Sequence, residues 1–121
     1  MYSSFRFIFG DQVKTYIIRE NVERIGEYAF YSCTSLLSIT IPESVTNIGR
    51  EAFYGCTNLS DIYCNATTPP NAKGYDGAGY NPAFDSSYIN EHTTLHVPAG
   101  SLDAYGATYP WNQFKSIVAI E

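Results

Sequence analysis

Residues 25–36 of the chain read IGEYAFYSCTSL, and residues 48–59 repeat them as IGREAFYGCTNL. Position 25 thus corresponds to position 48, and over the windows 25–41 and 48–64 nine of 17 positions are identical. Such self-similarity indicates an internal duplication, and a duplicated segment constrains the fold more strongly than local propensity does.

Each copy ends in a segment that is typical of a short strand. Leu36, Ile39 and Ile41 have the spacing L-x-x-I-x-I, and the second copy repeats this spacing from Leu59 onward. Alternation with period two turns every second side chain to one side, so the apolar residues are expected to face a core. Pro42 has no N–H group to donate, so the strand should end before it.

The other half of each copy carries an Ala-Phe pair, in which Phe30 corresponds to Phe53. We expect these rings to enter the core from the wall opposite the strands. Gly26 and Gly49 precede the pairs and suit a turn that needs permissive backbone angles.

One such repeat cannot bury its own apolar side, whereas adjacent repeats can cover each other. The period of the duplication lies within the leucine-rich-repeat range of roughly 20–29 residues. The sequence therefore predicts an α/β leucine-rich-repeat solenoid with short parallel strands on one face, turns and short helical segments on the other, and caps at both ends. The predicted structural core comprises Ile25, Phe30, Cys33, Leu36, Ile39, Ile48, Phe53, Cys56, Leu59, Ile62 and Trp111.

The repeat register divides the chain into five segments of one domain, 1–121. They are an N-terminal cap or degenerate coil (1–24), two clear repeats (25–47 and 48–70), an enlarged third coil (71–100) and a C-terminal cap (101–121). Ser101 is the expected N-cap of a short helix in the last segment. Residues 65–82, rich in Gly, Pro, Asn and Thr, are expected to form a long surface loop.

Composition limits the functional classes. The net charge of −5 and the lack of a Lys/Arg cluster argue against nucleic-acid binding. No apolar run reaches the roughly 18 residues of a membrane helix, so direct membrane insertion is not expected. Residues 1–10 lack the apolar run and cleavage site of a signal peptide.

The cysteines and histidines are the first candidates for chemistry. Cys33 and Cys56 occupy equivalent positions, which favours a row of buried free thiols, with Cys64 also free; a disulfide between neighbouring repeats is the alternative. His92 and His96 are expected on one strand, about 13 Å apart, as part of an exposed polar row. Since nucleophile, phosphate-loop and dinucleotide motifs are all missing, we predict no catalytic residues, no metal site and no cofactor.

The pattern Ile-Gly-x-x-Ala-Phe-x-x-Cys-x-x-Leu-x-x-Ile-x-Ile-Pro resembles the BspA-type leucine-rich repeats of bacterial surface antigens and of some protozoan surface proteins. The segment from Leu95 to Ser101, followed by Tyr105 and Trp111, resembles the cap that often closes such arrays. The resemblance implies a non-enzymatic protein that is extracellular or attached to the cell surface. It also implies adhesion to a protein of a host or of a neighbouring cell.

A protein ligand would most simply bind the outward side of the strands. The repeat register places eight residues there in two lines, Thr15, Ser38, Asp61 and Thr94 in one and Ile17, Thr40, Tyr63 and His96 in the other. The alternative is a carbohydrate-binding module that uses exposed tyrosines near the 65–82 loop, namely Tyr75, Tyr80 and Tyr88.

Overall fold

The computed structural model describes residues 14–74 and 81–120, and these form seven strands and two α-helices. The strands are β1 (Thr15–Ile17), β2 (Arg24–Ile25), β3 (Ser38–Ile41), β4 (Asn47–Ile48), β5 (Asp61–Cys64), β6 (Thr94–Pro98) and β7 (Ser116–Ile120). The helices are α1 (Ser86–His92) and α2 (Leu102–Gly106), with 3₁₀ turns at Ala99–Ser101 and Trp111–Gln113.

Five of the strands form one parallel sheet in the order β1-β3-β5-β6-β7. Thr15 pairs with Ser38 and Ser38 pairs with Asp61, so the first three strands follow the period of the sequence repeat. Asp61 then pairs with Thr94 and Thr94 pairs with Ser116, so the coil between β5 and β6 is longer than the regular repeats. The predicted α/β class with a row of short parallel strands is therefore confirmed.

A second parallel sheet joins the same repeats at another point of each turn. β2 pairs with β4, where Arg24 lies opposite Asn47 and Ile25 opposite Ile48. Asn71 extends this row through a single bridge to Asn47. Each repeat is therefore tied to the next by backbone pairing at two places.

The inward side chains of the five-stranded sheet form continuous apolar lines. Ile39, Ile62 and Leu95 occupy one register and are completely shielded from solvent, with 0% exposure each. Full burial of an aliphatic side chain of this size contributes roughly 1.5–3 kcal/mol. These lines supply one wall of the core.

A stack of phenylalanine rings supplies the opposite wall. The ring centroids of Phe30 and Phe53 lie 5.2 Å apart, and those of Phe53 and Phe84 lie 5.5 Å apart, with interplanar angles of only 7° and 11°. The rings are spaced by backbone bonds between repeats, in which Phe30 N donates to Ala52 O and Phe53 N donates to Ala83 O. Trp111 then meets Phe84 edge-on at 5.1 Å, which ends the stack with a steeply tilted ring.

A glycine is required at position 49 because the backbone of the preceding repeat lies close to it, and not because the position has an unusual backbone angle. The positive-φ glycines of the described residues are Gly55 and Gly74, so the turn angles expected at Gly26 and Gly49 were wrong. A Cβ atom at Gly49 would lie 2.5 Å from the backbone nitrogen of Glu27 in the preceding repeat. The left-handed conformation instead falls on two equivalent positions in each repeat, Tyr28 (φ 59°) and Ser32 (φ 58°) in the first and Glu51 (φ 52°) and Gly55 (φ 81°) in the second.

The segment that follows β5 is partly packed into the molecule. Ala66, Pro70 and Ala72 are buried whereas the residues at 67, 68 and 71 are exposed, so the expected surface loop lies only partly at the surface over residues 65–72. Pro70 accepts a hydrogen bond of 2.8 Å from the indole nitrogen of Trp111, which is itself completely buried. Apolar contacts and this bond draw the segment inward although its local sequence has no apolar period.

Ser101 does not cap α2 with its side chain, contrary to the expectation from sequence. Its hydroxyl donates to the carbonyl oxygen of Thr67 at 2.8 Å, and no side-chain bond to the start of α2 is formed. The 3₁₀ turn Ala99–Ser101 leads directly into the helix, so the backbone already continues through the position where a cap would act.

Replacement of Phe53 by alanine should lower the free energy of unfolding by about 3–5 kcal/mol, because the ring is sandwiched between two others and only 2% exposed. Denaturant melts would measure the loss. Tyr54→Ala, which removes a side chain that is 40% exposed, is the matched control and should cost far less. Equal losses for the two variants would contradict the ring stack.

Gly49→Ala should destabilise the protein by roughly 1–3 kcal/mol, because the added methyl group collides with backbone that cannot yield as a flexible side chain would. Gly100→Ala is the control, since nothing lies within 4 Å of a Cβ at that position. Chemical denaturation of the two variants tests the point, and an unchanged midpoint for Gly49→Ala would refute the close approach.

Candidate functional site

The outward side chains of the five-stranded sheet form two parallel lines, here called the strand face. The first line is Thr15, Ser38, Asp61, Thr94 and Ser116, and the second is Ile17, Thr40, Tyr63, His96 and Val118. All eight residues selected from sequence lie in these lines. Ser116 and Val118 were not predicted from the sequence, because residues 101–121 were assigned to a cap. The apolar residues at 117, 118 and 120 were the available signal for a further strand.

The centre of the strand face is an ordered cluster of three side chains. The rings of Tyr63 and His96, which are register partners, stack with centroids 4.1 Å apart and an interplanar angle of 16°. The Nε2 atom of His96 lies 2.8 Å from Oδ1 of Asp61, and Oδ2 of Asp61 accepts a 2.9 Å hydrogen bond from the Ser60 hydroxyl. These contacts fix all three side chains, and His96 is half-buried, so it does not belong to the exposed polar row that was expected from the sequence.

The ends of the second line are apolar and open to solvent. Ile17 is 68% exposed and Val118 is 38% exposed, while Thr40, Tyr63 and His96 between them are half-buried. The first line carries hydroxyl groups and one carboxylate, and neither line contains a lysine or an arginine. The face thus offers an aromatic and aliphatic stripe beside a polar one, with a single acidic group.

The His96–Asp61 pair does not form a catalytic arrangement with its described surroundings. Nucleophilic catalysis needs a hydroxyl or thiol on the remaining imidazole nitrogen. Among residues 14–74 and 81–120, the hydroxyl that joins the cluster, that of Ser60, bonds the carboxylate and not the imidazole. The contact with Asp61 holds the His96 ring beside that of Tyr63.

His92 does not lie on the same strand as His96, contrary to the expectation from sequence. It is the last residue of α1, and its Nδ1 atom lies 3.0 Å from the carbonyl oxygen of Tyr88. The helix was missed because a single residue, Ile89, is buried in it, and one anchor produces no helical period.

The tyrosines proposed for sugar binding are only partly described. Tyr75 and Tyr80 lie outside the described residues. Tyr88 is half-buried, and its ring stacks on that of His92 at 4.3 Å. A cleft of about 370 Å³ beside α1 is lined by Glu51, Tyr54, Asn81, Pro82, Phe84, Asp85, Ser86, Ser87 and Tyr109.

The three cysteines are free and buried in the core. Burial, and secondarily the neighbouring Cys33, raises the pKa of the Cys56 thiol to about 12, and Cys56 Sγ donates to the carbonyl oxygen of Phe30 at 3.1 Å. Burial likewise raises the pKa of Cys64, whose sulfur lies 3.4 Å from the Tyr105 hydroxyl, and the pKa of Tyr105 itself. Within the described part of the chain, no group of three or more His, Cys, Asp or Glu residues converges as a metal site would require.

These raised pKa values predict a loss of stability at alkaline pH. The folded state keeps the Cys56 thiol neutral up to about pH 12, whereas the unfolded thiol ionises near 9, so the unfolded state binds fewer protons above pH 9. Stability should be unaffected by this group below pH 9 and should then fall by up to about 1.4 kcal/mol per pH unit. Urea melts between pH 7.5 and 10.5 would measure the slope.

Cys56→Ser is the matched control, because serine retains the donor to Phe30 and does not titrate in this range. Its alkaline slope should be smaller than that of the original protein. Native protein should also react slowly with a thiol reagent and show all three thiols after unfolding without reductant. Identical slopes for the two proteins, or fewer than three thiols, would contradict this account.

Comparison with known proteins identifies a family whose model matches this chain. Residues 3–71, more than half of the chain, match the model of the BspA type leucine-rich repeat region, with six copies. A search of curated proteins found no match. In the part of the chain that the structure describes, no helix is both long and apolar enough to cross a membrane.

The family match agrees with the resemblance inferred from the repeat motif. Leucine-rich repeats of this kind generally serve as non-enzymatic interaction domains, and proteins that carry the BspA type are typically associated with bacterial surfaces. By its matched residues, the constant period of its first three paired strands and their parallel arrangement, the chain belongs to the BspA-type leucine-rich repeat family.

Proposed function

We propose that the chain is a non-enzymatic adhesion scaffold that binds another protein through the strand face, with Thr15, Ile17, Ser38, Thr40, Asp61, Tyr63, Thr94 and His96 as contact residues. The partner is a surface protein of a host or of a neighbouring cell, and the scaffold acts outside the cell or on its surface. Binding needs no cofactor, because the contacts offered are hydrogen-bonding groups, one carboxylate and apolar side chains.

The observation that carries the proposal is the ordered cluster at the centre of the face. Tyrosine is enriched among the residues that dominate binding energy, and such residues lie near the centre of an interface. Tyr63 is held by the His96 ring, which in turn is held by Asp61. A side chain already fixed in the free protein loses little conformational entropy on binding, so its contacts contribute more to affinity.

The size of the strand face limits the strength of such a contact. Five strands about 4.8 Å apart and about 10–17 Å long present roughly 250–400 Å². A stable protein interface buries about 800 Å² on each partner. The strand face alone therefore supports weak binding, and a tighter contact would use the flanks of the repeats or additional repeats joined to this chain.

We further infer the architecture that presents the face. Residues 1–121 form one solenoid in which 25–47 and 48–70 are the regular repeats and 71–100 is an enlarged coil. Residues 1–24 and 101–121 act as caps. For the second cap, the support is the completely buried Trp111, whose ring meets Phe84 edge-on at the end of the phenylalanine stack, and the completely buried Tyr105, whose ring packs edge-on against Trp111.

A panel of purified extracellular matrix and serum proteins, tested by biolayer interferometry, would examine the proposed function. The original chain should bind at least one of them saturably, and Tyr63→Ala should weaken that binding about tenfold or more, as loss of a central aromatic contact does. Tyr54→Ala is the matched control, since it removes an exposed tyrosine of the same repeat on another surface. Thermal melts would verify that both variants fold.

Binding that is lost in Tyr54→Ala and retained in Tyr63→Ala would contradict the assignment to the strand face. A glycan array provides the complementary test. Saturable binding to defined sugars without binding to any protein of the panel would reject the proposal in favour of carbohydrate recognition.

A further inference from the structure

The cleft beside α1, here called the α1 cleft, lies where a stack of tyrosine rings ends. Tyr31 and Tyr54 follow the stacked phenylalanines of the two repeats, and their rings stack with centroids 5.8 Å apart and an interplanar angle of 18°. The third coil carries Asp85 after its phenylalanine, so an aspartate takes the place of a third tyrosine. Because Tyr31 covers one face of the Tyr54 ring, the opposite face is turned toward the third coil, where Tyr54 lines the cleft. Among residues 14–74 and 81–120, no ring stacks on that face.

Two carboxylates line the α1 cleft without a counter-charge. Glu51 and Asp85 are both half-buried there. Asp85 uses Oδ1 to accept hydrogen bonds from the nitrogen and the hydroxyl of Ser87, so its Oδ2 atom is left for another donor. Within the described part of the chain, neither carboxylate forms an ion pair, and the lining residues include no lysine, arginine or histidine. A cleft lined by charges of one sign concentrates their potential, so this cleft favours a cation.

The preceding boundary between repeats already holds a cation beside a ring and a carboxylate. The Cζ atom of Arg50 lies 5.3 Å from the centroid of the Tyr28 ring, and its Nε atom lies 3.8 Å from Oε2 of Glu27. Tyr28 N donates to Arg50 O at that boundary, and Glu51 N donates to Pro82 O at the next one. By this backbone register, a proline replaces the arginine and a glutamate replaces the tyrosine. The boundary at the α1 cleft therefore has an added negative charge and lacks the cation.

We propose that the α1 cleft binds an arginine side chain of a polypeptide, whose guanidinium group stacks on Tyr54 and pairs with the carboxylates of Glu51 and Asp85. A guanidinium group is planar and always charged, so it can stack on a ring while it donates to a carboxylate, whereas an ammonium group is compact and strongly hydrated. The cleft, at about 370 Å³, lies within the range of roughly 300–1,000 Å³ that is typical of ligand sites, so one such side chain has room. This site is separate from the strand face, and its ligand is not the partner proposed for that face.

Titration of the isotope-labelled full chain with the peptide acetyl-Gly-Arg-Gly amide, followed by NMR, tests the binding. We expect saturable shifts of the backbone amides that line the cleft, with a dissociation constant in the millimolar range. The same peptide with citrulline in place of arginine is the matched control, because its side chain keeps the shape and loses the charge. It should bind at least about fivefold more weakly. Equal binding of the two peptides, or no shifts at the cleft, would overturn the proposal. So would equal affinity for the free guanidinium ion, which would restrict the site to small cations.

Substitutions assign the contacts within the cleft. Glu51→Gln and Tyr54→Ala should each weaken binding of the arginine peptide at least about threefold. Glu91→Gln is the matched control for charge, since it removes an exposed carboxylate of α1 outside the cleft and should leave the affinity unchanged. Tyr63→Ala, on the strand face, should also leave it unchanged, so the strand-face proposal and this one can fail separately. Thermal melts would verify that all four variants fold. Equal weakening by Glu51→Gln and Glu91→Gln would show that net charge alone acts, and would reject the site.

Discussion

The lateral pairing of one repeat with the next is the constraint on which the rest of this structure depends. A single repeat has an apolar side that nothing within the repeat can cover. Backbone hydrogen bonds join adjacent repeats along the strands and again beside the phenylalanine rings. These bonds hold equivalent residues of adjacent repeats directly beside each other. Ile39 therefore meets Ile62 and Phe30 meets Phe53, and like side chains pack on like. The close approach at Gly49 is the geometric condition for that spacing.

The pairing that builds the core also sorts the surface. Because every second residue of a strand points outward, the register that buries Ile62 places Tyr63 and Asp61 on the opposite side. The neighbouring strand then brings His96 against both of them. The strand face is thus a by-product of core packing, and its width grows only with the number of strands. This relation explains why a sheet of five strands offers a small face.

The last repeat of a stack exposes both an apolar core and the edge of a sheet. The C-terminal segment covers the core and extends the sheet, and it uses different groups for the two. The apolar core ends in a set of steeply tilted rings, where Trp111 and Phe114 meet Phe84 edge-on. The sheet, in contrast, is extended by one more strand, β7, which pairs with β6 among the described residues. Apolar side chains can be covered by any well-shaped apolar group, whereas strand edges require backbone partners. The same segment therefore covers the core with rings and extends the sheet with a strand.

The sequence by itself determined the period, the α/β class, the inward positions such as Ile39 and Phe53, and the alignment of residues that gives the two outward lines. These features follow from regular repeats of equal length. When two repeats have the same length, equivalent residues become neighbours in the stack, so the pattern of one repeat predicts its contacts with the next. Only the tertiary structure decided the Asp61–His96 contact, the helix that ends at His92, the role of the Ser101 hydroxyl and the fifth strand of the main sheet. Each of these depends on the enlarged third coil or on the C-terminal segment. There no periodicity constrains the chain, and partners far apart in sequence meet because of packing alone.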